Sequence, residues 1–272
     1  MSSNGWSFSV VVRTKDVENR FSELLQRLAL QTLQPSELVI VDNYSTNEKL
    51  EEMIGFLSSS KKRYFHNHVM VRLIPLTDDD FSHAYSTNLG VFFATHDLVC
   101  ITNGHSLPLS NSWIESGVTH FEKSDVAGVG GYSIPPKDGT FWEKIAYGLW
   151  WRKLNEVSNA YVSDSYFSTM NCILRRSLWE GYPFDENLSI VIPSAMRFGG
   201  EDYDWASEML ARGYRIIVEP SFCIYHSHGE GLPILFSKYL AWRRIRKQIK
   251  MFRRPRKSYT RLKNVDIPHY DI

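Results

Sequence analysis

The stretch Asn103-Gly104-His105 sets an imidazole at the polar tip of a short apolar run, Leu98-Val99-Cys100-Ile101, and Pro108 stops that run from continuing as a strand. An imidazole at the carboxyl end of a buried strand can ligate a divalent cation, and open α/β sheets gather their ligands along that edge. The same three residues also make an ordinary turn. Gly199-Gly200-Glu201-Asp202 puts two carboxylates at a helix start. Acids there can simply complement the helix dipole, but glycines let backbone approach a ligand and make the pair a general-base candidate. His226-Ser227-His228-Gly229 closes a later apolar run, Phe222–Tyr225, as a surface turn or as further imidazoles. Asp42 and Thr14 end two other apolar runs, where each can hydrogen-bond a ligand or face water.

Positioning these residues requires a sheet. Phe8–Val12, Glu37–Asp42 and Val69–Ile74 are apolar runs separated by helical patterns at Phe21–Leu30 and Glu48–Leu57. That β-α-β-α-β alternation with short connections is the doubly wound signature. Ala84–Thr95 reads as a helix leading into the Leu98–Ile101 strand, Trp113–Lys123 and Trp142–Val157 as helices, and Val126–Gly131, Met170–Leu174 and Arg215–Val218 as strands. No Gly-x-Gly-x-x-Gly follows the first strand and no Walker lysine loop is present, which argues against the usual dinucleotide and P-loop sites.

The chain has 272 residues, with 43% hydrophobic and 14% aromatic content, enough for one sizeable α/β core and against global disorder. Cys100, Cys172 and Cys223 form no C-x-x-C pair and suit buried positions in a reducing compartment. The first residues carry no signal-peptide pattern, and no uncharged run is long enough for a spanning helix. Net charge of +1 conceals an asymmetry. Residues 231–265 hold twelve lysines and arginines and no acid, so the remainder carries a net −11. The chain therefore divides into a domain over 1–230 and a basic extension over 231–272.

Several motifs, in order, resemble the family 2 glycosyltransferases of GT-A fold, in particular rhamnosyltransferase-like bacterial members. They are the Arg13-Thr14-Lys15-Asp16 tip, Val39-Ile40-Val41-Asp42-Asn43-Tyr44-Ser45-Thr46, and Phe81-Ser82-His83 with Asn88-Leu89-Gly90. Met170–Arg176, Gly181–Glu186, Gly200-Glu201-Asp202-Tyr203-Asp204-Trp205 and His226 complete the series. Three positions depart from the family pattern. Asn103-Gly104-His105 stands where many members have Asp-x-Asp or Gln-Asp, Thr87 where arginine is common, and Asn43 where the second Asp of a pair is usual.

The resemblance implies a Rossmann-like, mostly parallel central sheet flanked by helices. It implies inverting transfer of a sugar from a nucleotide-diphosphate donor to a hydroxyl of a surface polysaccharide or lipid-linked glycan. Asp202 then falls on the general base, with Glu201 second and Asp204 third; inversion needs one such carboxylate and no nucleophilic second. Thr14, Asp42, Asn88 and Asn103 fall on the donor site. His105 falls on the metal-binding aspartate and His226 on the second ligand, with His228 as its substitute, for Mn²⁺ or Mg²⁺. Two alternatives stay open: a metal-independent transferase in which His105 donates to the diphosphate, and a non-catalytic nucleotide-sugar or glycan-binding protein that has lost Asp-x-Asp.

In the extension, Leu235, Tyr239, Trp242, Ile245, Ile249 and Phe252 share one helical face and basic residues fill the rest. A basic amphipathic helix of this kind reads as an anionic membrane-surface element over residues 235–257, which would make the protein peripheral on the cytoplasmic face of the plasma membrane. The same pattern also suits a helix docked on the acidic body. Because the basic residues cluster in the tail and the body is net acidic, no nucleic-acid partner is expected. The Trp142–Trp151 stretch could stack on an acceptor sugar or pack on the core.

Overall fold

Alternation along the central strands decides the layering. In β1 (Phe8–Thr14), Phe8, Val10 and Val12 face one apolar layer while Val11 faces the other. β2 (Glu37–Asn43) divides in the same way, Leu38 and Ile40 against Val39 and Val41. So does β4 (Leu98–Asn103), with Leu98 and Cys100 opposed to Val99 and Ile101. Strands covered on both faces must be apolar at every position, which is why these runs are continuous and not alternating. Each such side chain contributes roughly 1.5–3 kcal/mol on burial.

A computed structural model of the chain describes residues 5–147, 159–264 and 267–272. The remaining strands are β3 (Met70–Leu76), β5 (Leu107–Pro108), β6 (Val126–Gly130), β7 (Ser133–Ile134), β8 (Tyr161–Val162), β9 (Asn171–Arg175), β10 (Arg215–Val218), β11 (Ile224–Tyr225) and β12 (Tyr270–Asp271). The main sheet has nine strands in the order β12-β3-β2-β1-β4-β9-β6-β10-β8. β1, β2, β3 and β4 run parallel, whereas β9 is antiparallel to both β4 and β6. Helices Phe21–Ala29, Asn47–Tyr64 and His83–Phe93 fill the crossovers of the parallel half. The second continues seven residues past its expected end at Leu57, through a serine- and lysine-rich stretch that carries little apolar periodicity, whereas the first and third stop one and two residues before their expected ends at Leu30 and Thr95. The expected Trp142–Val157 helix is helical over 141–147, and its remainder lies outside the described residues.

Of a second sheet, β5-β11-β7, only β11 falls within a predicted strand, the apolar run Phe222–Tyr225. Two-residue strands carry no readable periodicity, yet this sheet matters for the site. β11 pairs antiparallel with β5, Tyr225 opposite Leu107, and the His226 N–H donates to the Ile134 carbonyl at 2.9 Å. The segment after β11 therefore returns beside the tip of β4.

The extension does not stand apart from the body. Helix Leu232–Lys250 buries Ile245 and Ile249 among Leu188, Ile192, Ala195 and Tyr203, with Trp242 and Phe252 packed alongside. Beyond it, Arg254 reaches Asp204 at 2.7 Å and Glu208 at 2.8 Å, and Arg256 reaches Asp204 at 2.9 Å. Finally β12 adds to the edge of the main sheet against β3. Much of the face expected to meet a membrane thus meets an apolar patch of the protein, and the arginines that follow it pair with buried carboxylates. The charge step at residue 230 is not a boundary in packing. Among the described residues no helix is long and apolar enough to cross a membrane.

Candidate active site

A cleft of about 1240 Å³ opens at the carboxyl ends of the parallel strands. Its walls include Thr14, Asn103, His105, Glu201, Asp202, His226 and His228, so distant parts of the sequence converge there.

The floor is organised by Arg13, at the end of β1. Its Nη2 donates to Asn103 Oδ1 at 3.0 Å and to Thr169 Oγ1 at 3.1 Å, and Nη1 donates to the His83 carbonyl at 3.3 Å. Burial lowers the guanidinium pKa, and the charges of Glu201 and Asp202 oppose that shift. Asn103 therefore holds Arg13 in place through that oxygen. Neither Arg13, Thr169 nor His83 was singled out as a site residue from the sequence; position at a strand end was the available signal for Arg13.

Gly199 and Gly200 adopt φ of +72° and +126°, conformations that disfavour side chains. They turn the chain so that helix Glu201–Ala211 starts at the cleft wall. Asp202 accepts from the Thr169 N–H at 3.3 Å and from the Tyr203 N–H at 2.7 Å. Glu201 is buried, and its pKa is raised by that burial and by the neighbouring Asp202 charge. Asp204 lies on the far side. It accepts from Tyr182 Oη at 2.7 Å and from both arginines of the tail, which makes it a structural anchor rather than a base.

The three histidines meet. Ring centroids of His105 and His226 are 4.7 Å apart and those of His105 and His228 are 5.1 Å apart. One nitrogen of each lies within 4.8 Å of one of the others. His105 Nδ1 is 2.6 Å from Glu18 Oε2, while its Nε2 is buried with no hydrogen-bond partner. His226 Nδ1 is 3.0 Å from Ser106 Oγ. Burial holds the pKa of His226 well below its ordinary value, helped by the charges of His105 and His228. His228 is also lowered, by burial and then Lys238. The loop is tied down by Glu143, which accepts from Ser227 Oγ at 2.7 Å and from the N–H groups of His228 and Glu230 at 3.2 Å each.

This donor set fits a divalent cation. Nitrogens of the three rings gather about a common point, and His105 Nε2 has no other hydrogen-bond partner there. His228, read from the sequence as a substitute for His226, stands with it as a third candidate ligand.

Two donor-site residues are placed differently. Asp42 is fully buried beside Thr14 in the strand register, and both its carboxylate oxygens lack a hydrogen-bond partner. Its pKa is raised to about 7 by burial and by the nearby Asp16 charge. Its neighbour Asn43 lines the cleft instead. Asn88, expected to touch the donor, is buried away from the cleft. Its amide donates to the Phe184 carbonyl and Glu186 at 2.8 Å each, and its oxygen accepts from Trp179 Nε1 at 2.9 Å and the Phe184 N–H at 3.0 Å. With all four positions used, it ties the helix His83–Phe93 to the 179–186 segment.

Comparison with known proteins fits this arrangement. A curated relative, the O-antigen chain rhamnosyltransferase WbaN of Salmonella anatum, is 24% identical over 234 residues, covering 82% of this chain and 67% of that protein. Among solved structures, the mannosyltransferase PcManGT from Pyrobaculum calidifontis, in complex with GDP-Man and Mn²⁺, superposes with a TM-score of 0.60 at 19% identity. The match covers 92% of this chain and 67% of that one. TarS of S. aureus in complex with UDP-GlcNAc gives 0.55 at 16% identity, covering 89% and 66%. The chain thus spans about two thirds of the length of these proteins. Their shared architecture is the GT-A fold, a large mostly parallel sheet flanked by helices. Residues 9–181, well over half of the chain and ending before Asp202, His226 and His228, match the sequence model of Glycosyl transferase family 2. The chain belongs to that family, and is a glycosyltransferase.

Proposed function

We propose that the protein transfers a sugar, with inversion, from a nucleotide-diphosphate donor to a hydroxyl of a growing polysaccharide or lipid-linked glycan, with Asp202 as general base. The observation that carries this reading is the polar chain Asn103–Arg13–Thr169–Asp202, which ties the carboxylate to the tip of β4 next to the three histidines. Donor diphosphate and acceptor hydroxyl would then lie at opposite ends of one short wall.

The acceptor oxygen attacks the anomeric carbon as the bond from that carbon to the diphosphate oxygen breaks. Its proton goes to Asp202, and the electron pair leaves on the diphosphate. Arg13 supplies fixed positive charge in the cleft wall, where low dielectric makes it effective. His105, His226 and His228 would hold a divalent cation, whose chemistry when bound is to neutralise the leaving diphosphate. Lys238, Arg243, Arg246, Lys247 and Lys250 line the same cleft from helix Leu232–Lys250. That inward-facing positive charge supports an acceptor bearing phosphate, as a lipid-linked glycan does. The rhamnosyltransferase relative acts on O-antigen chains by its name, which supports a polysaccharide acceptor here as well.

The test is Asp202→Asn. Turnover should fall by about 10²–10⁴-fold, the usual contribution of a general base, while calorimetric binding of the donor stays close to the parent value. Near-normal turnover would remove Asp202 from the role. Release of nucleotide from the donor by the parent protein separates this reading from one in which the protein only binds nucleotide sugars.

A further inference from the structure

We propose that Glu18 is a positioning residue of the cation site, setting the tautomer and ring orientation of His105; this rests on the reading of the three histidines as ligands. Glu18 follows β1 by four residues and has no partner of its own in the sequence pattern. Its two carboxylate oxygens divide their work. Oε2 lies 2.6 Å from His105 Nδ1, and Oε1 accepts from Thr14 Oγ1 at 2.8 Å and from the Lys15 N–H at 3.2 Å.

With the Glu18 carboxylate engaging Nδ1, Nε2 is the nitrogen His105 has left to offer a cation. That nitrogen is the buried, unpartnered one on the side of His226 and His228. Carboxylate–imidazole pairs of this kind orient metal ligands and raise their basicity. The space is closely fitted: a Cβ on Gly104 would stand 2.5 Å from Thr14 Oγ1 and 2.9 Å from Glu18 Oε1. Through Glu18 the strand tip at Thr14 is hydrogen-bonded to His105.

The experiment uses Co²⁺ as a spectroscopic probe of the full chain, titrated by calorimetry and by its visible absorption. Glu18→Ala should weaken Co²⁺ binding by about 10–100-fold and alter the visible bands. Glu18→Gln, which keeps an oxygen able to accept from Nδ1, should lose less. In a His105→Ala background, Glu18→Ala should cost nothing further, because its route of action is gone. An equal loss with and without His105, or unchanged affinity in Glu18→Ala, would overturn the proposal while leaving the histidine site standing. If the parent protein takes up no Co²⁺, the reading of the three histidines itself falls, and the role of Glu18 with it.

Discussion

Nε2 of His226 and Nε2 of His228 stand 3.0 Å apart. Two imidazole nitrogens at that separation need one proton between them: one ring donates and the other accepts. Putting protons on both would set like charges in contact, and burial already lowers the pKa of His226 and His228. The pair is thus built to offer nitrogen lone pairs, and a cation can take the place of the shared proton.

A nitrogen-rich site favours borderline metals over Mg²⁺, which prefers oxygen. Chelation with EDTA should abolish transfer, and Mn²⁺ or Co²⁺ should restore it at lower concentration than Mg²⁺. His105→Asp should shift that preference toward Mg²⁺. Full activity in EDTA would instead assign His105 to hydrogen bonding with the diphosphate.

Asp42 gives a pH signature. A carboxyl whose pKa is raised from 3.8 to about 7 in the folded protein keeps its proton there while the unfolded chain has lost it. Folding then takes up a proton between those values, and stability declines as pH climbs through that interval. Asp42→Asn cannot ionise, so its stability relative to the parent should improve by a few kcal/mol, as an order of magnitude, between about pH 4 and pH 8. Urea midpoints at the two pH values measure this; parallel curves would mean that Asp42 is not held protonated.

The docked tail predicts a stability effect rather than a membrane effect for its apolar face. Ile249→Ala removes a fully buried side chain and should cost about 2–5 kcal/mol, read from chemical denaturation. A helix lying on a bilayer would leave stability untouched and instead lose binding to anionic vesicles.

Asp204 and Glu208 are buried carboxylates held by the tail arginines. Replacing Arg254 and Arg256 together by Met should destabilise by about 3–5 kcal/mol, because the charges left behind are uncompensated. Adding Asp204→Asn should recover part of the loss. Additive damage would mean that the arginines act elsewhere.

Asn88→Ala should lower stability by roughly 1–3 kcal/mol, the cost of stranding the Trp179 and Phe184 polar groups, with donor KM unchanged. A selective rise in donor KM at unaltered stability would return Asn88 to the donor site.

The sequence by itself determined the parallel half of the sheet, because strands buried on both faces must be continuously apolar and their crossover helices must be amphipathic. It also marked His105, Asp202 and His226, since strand ends and glycine-led helix starts are where polar residues stand out against that pattern. Which polar residues face the cleft was decided only by tertiary structure. Asn88 and Asp204 look like site residues locally, yet long-range partners at Phe184, Trp179, Arg254 and Arg256 consume their hydrogen-bonding capacity. His228 gains its place from a two-residue strand pairing and a loop held by Glu143, and Glu18 from its hydrogen bonds to Thr14 and His105, none of which leaves a periodic trace. The tail shows the same division. Its helical face was plain in the spacing, but a spacing records only that a face is apolar. Whether lipid or protein covers it depends on what lies opposite, here Leu188, Ile192, Ala195 and Tyr203, and those are brought there by the fold.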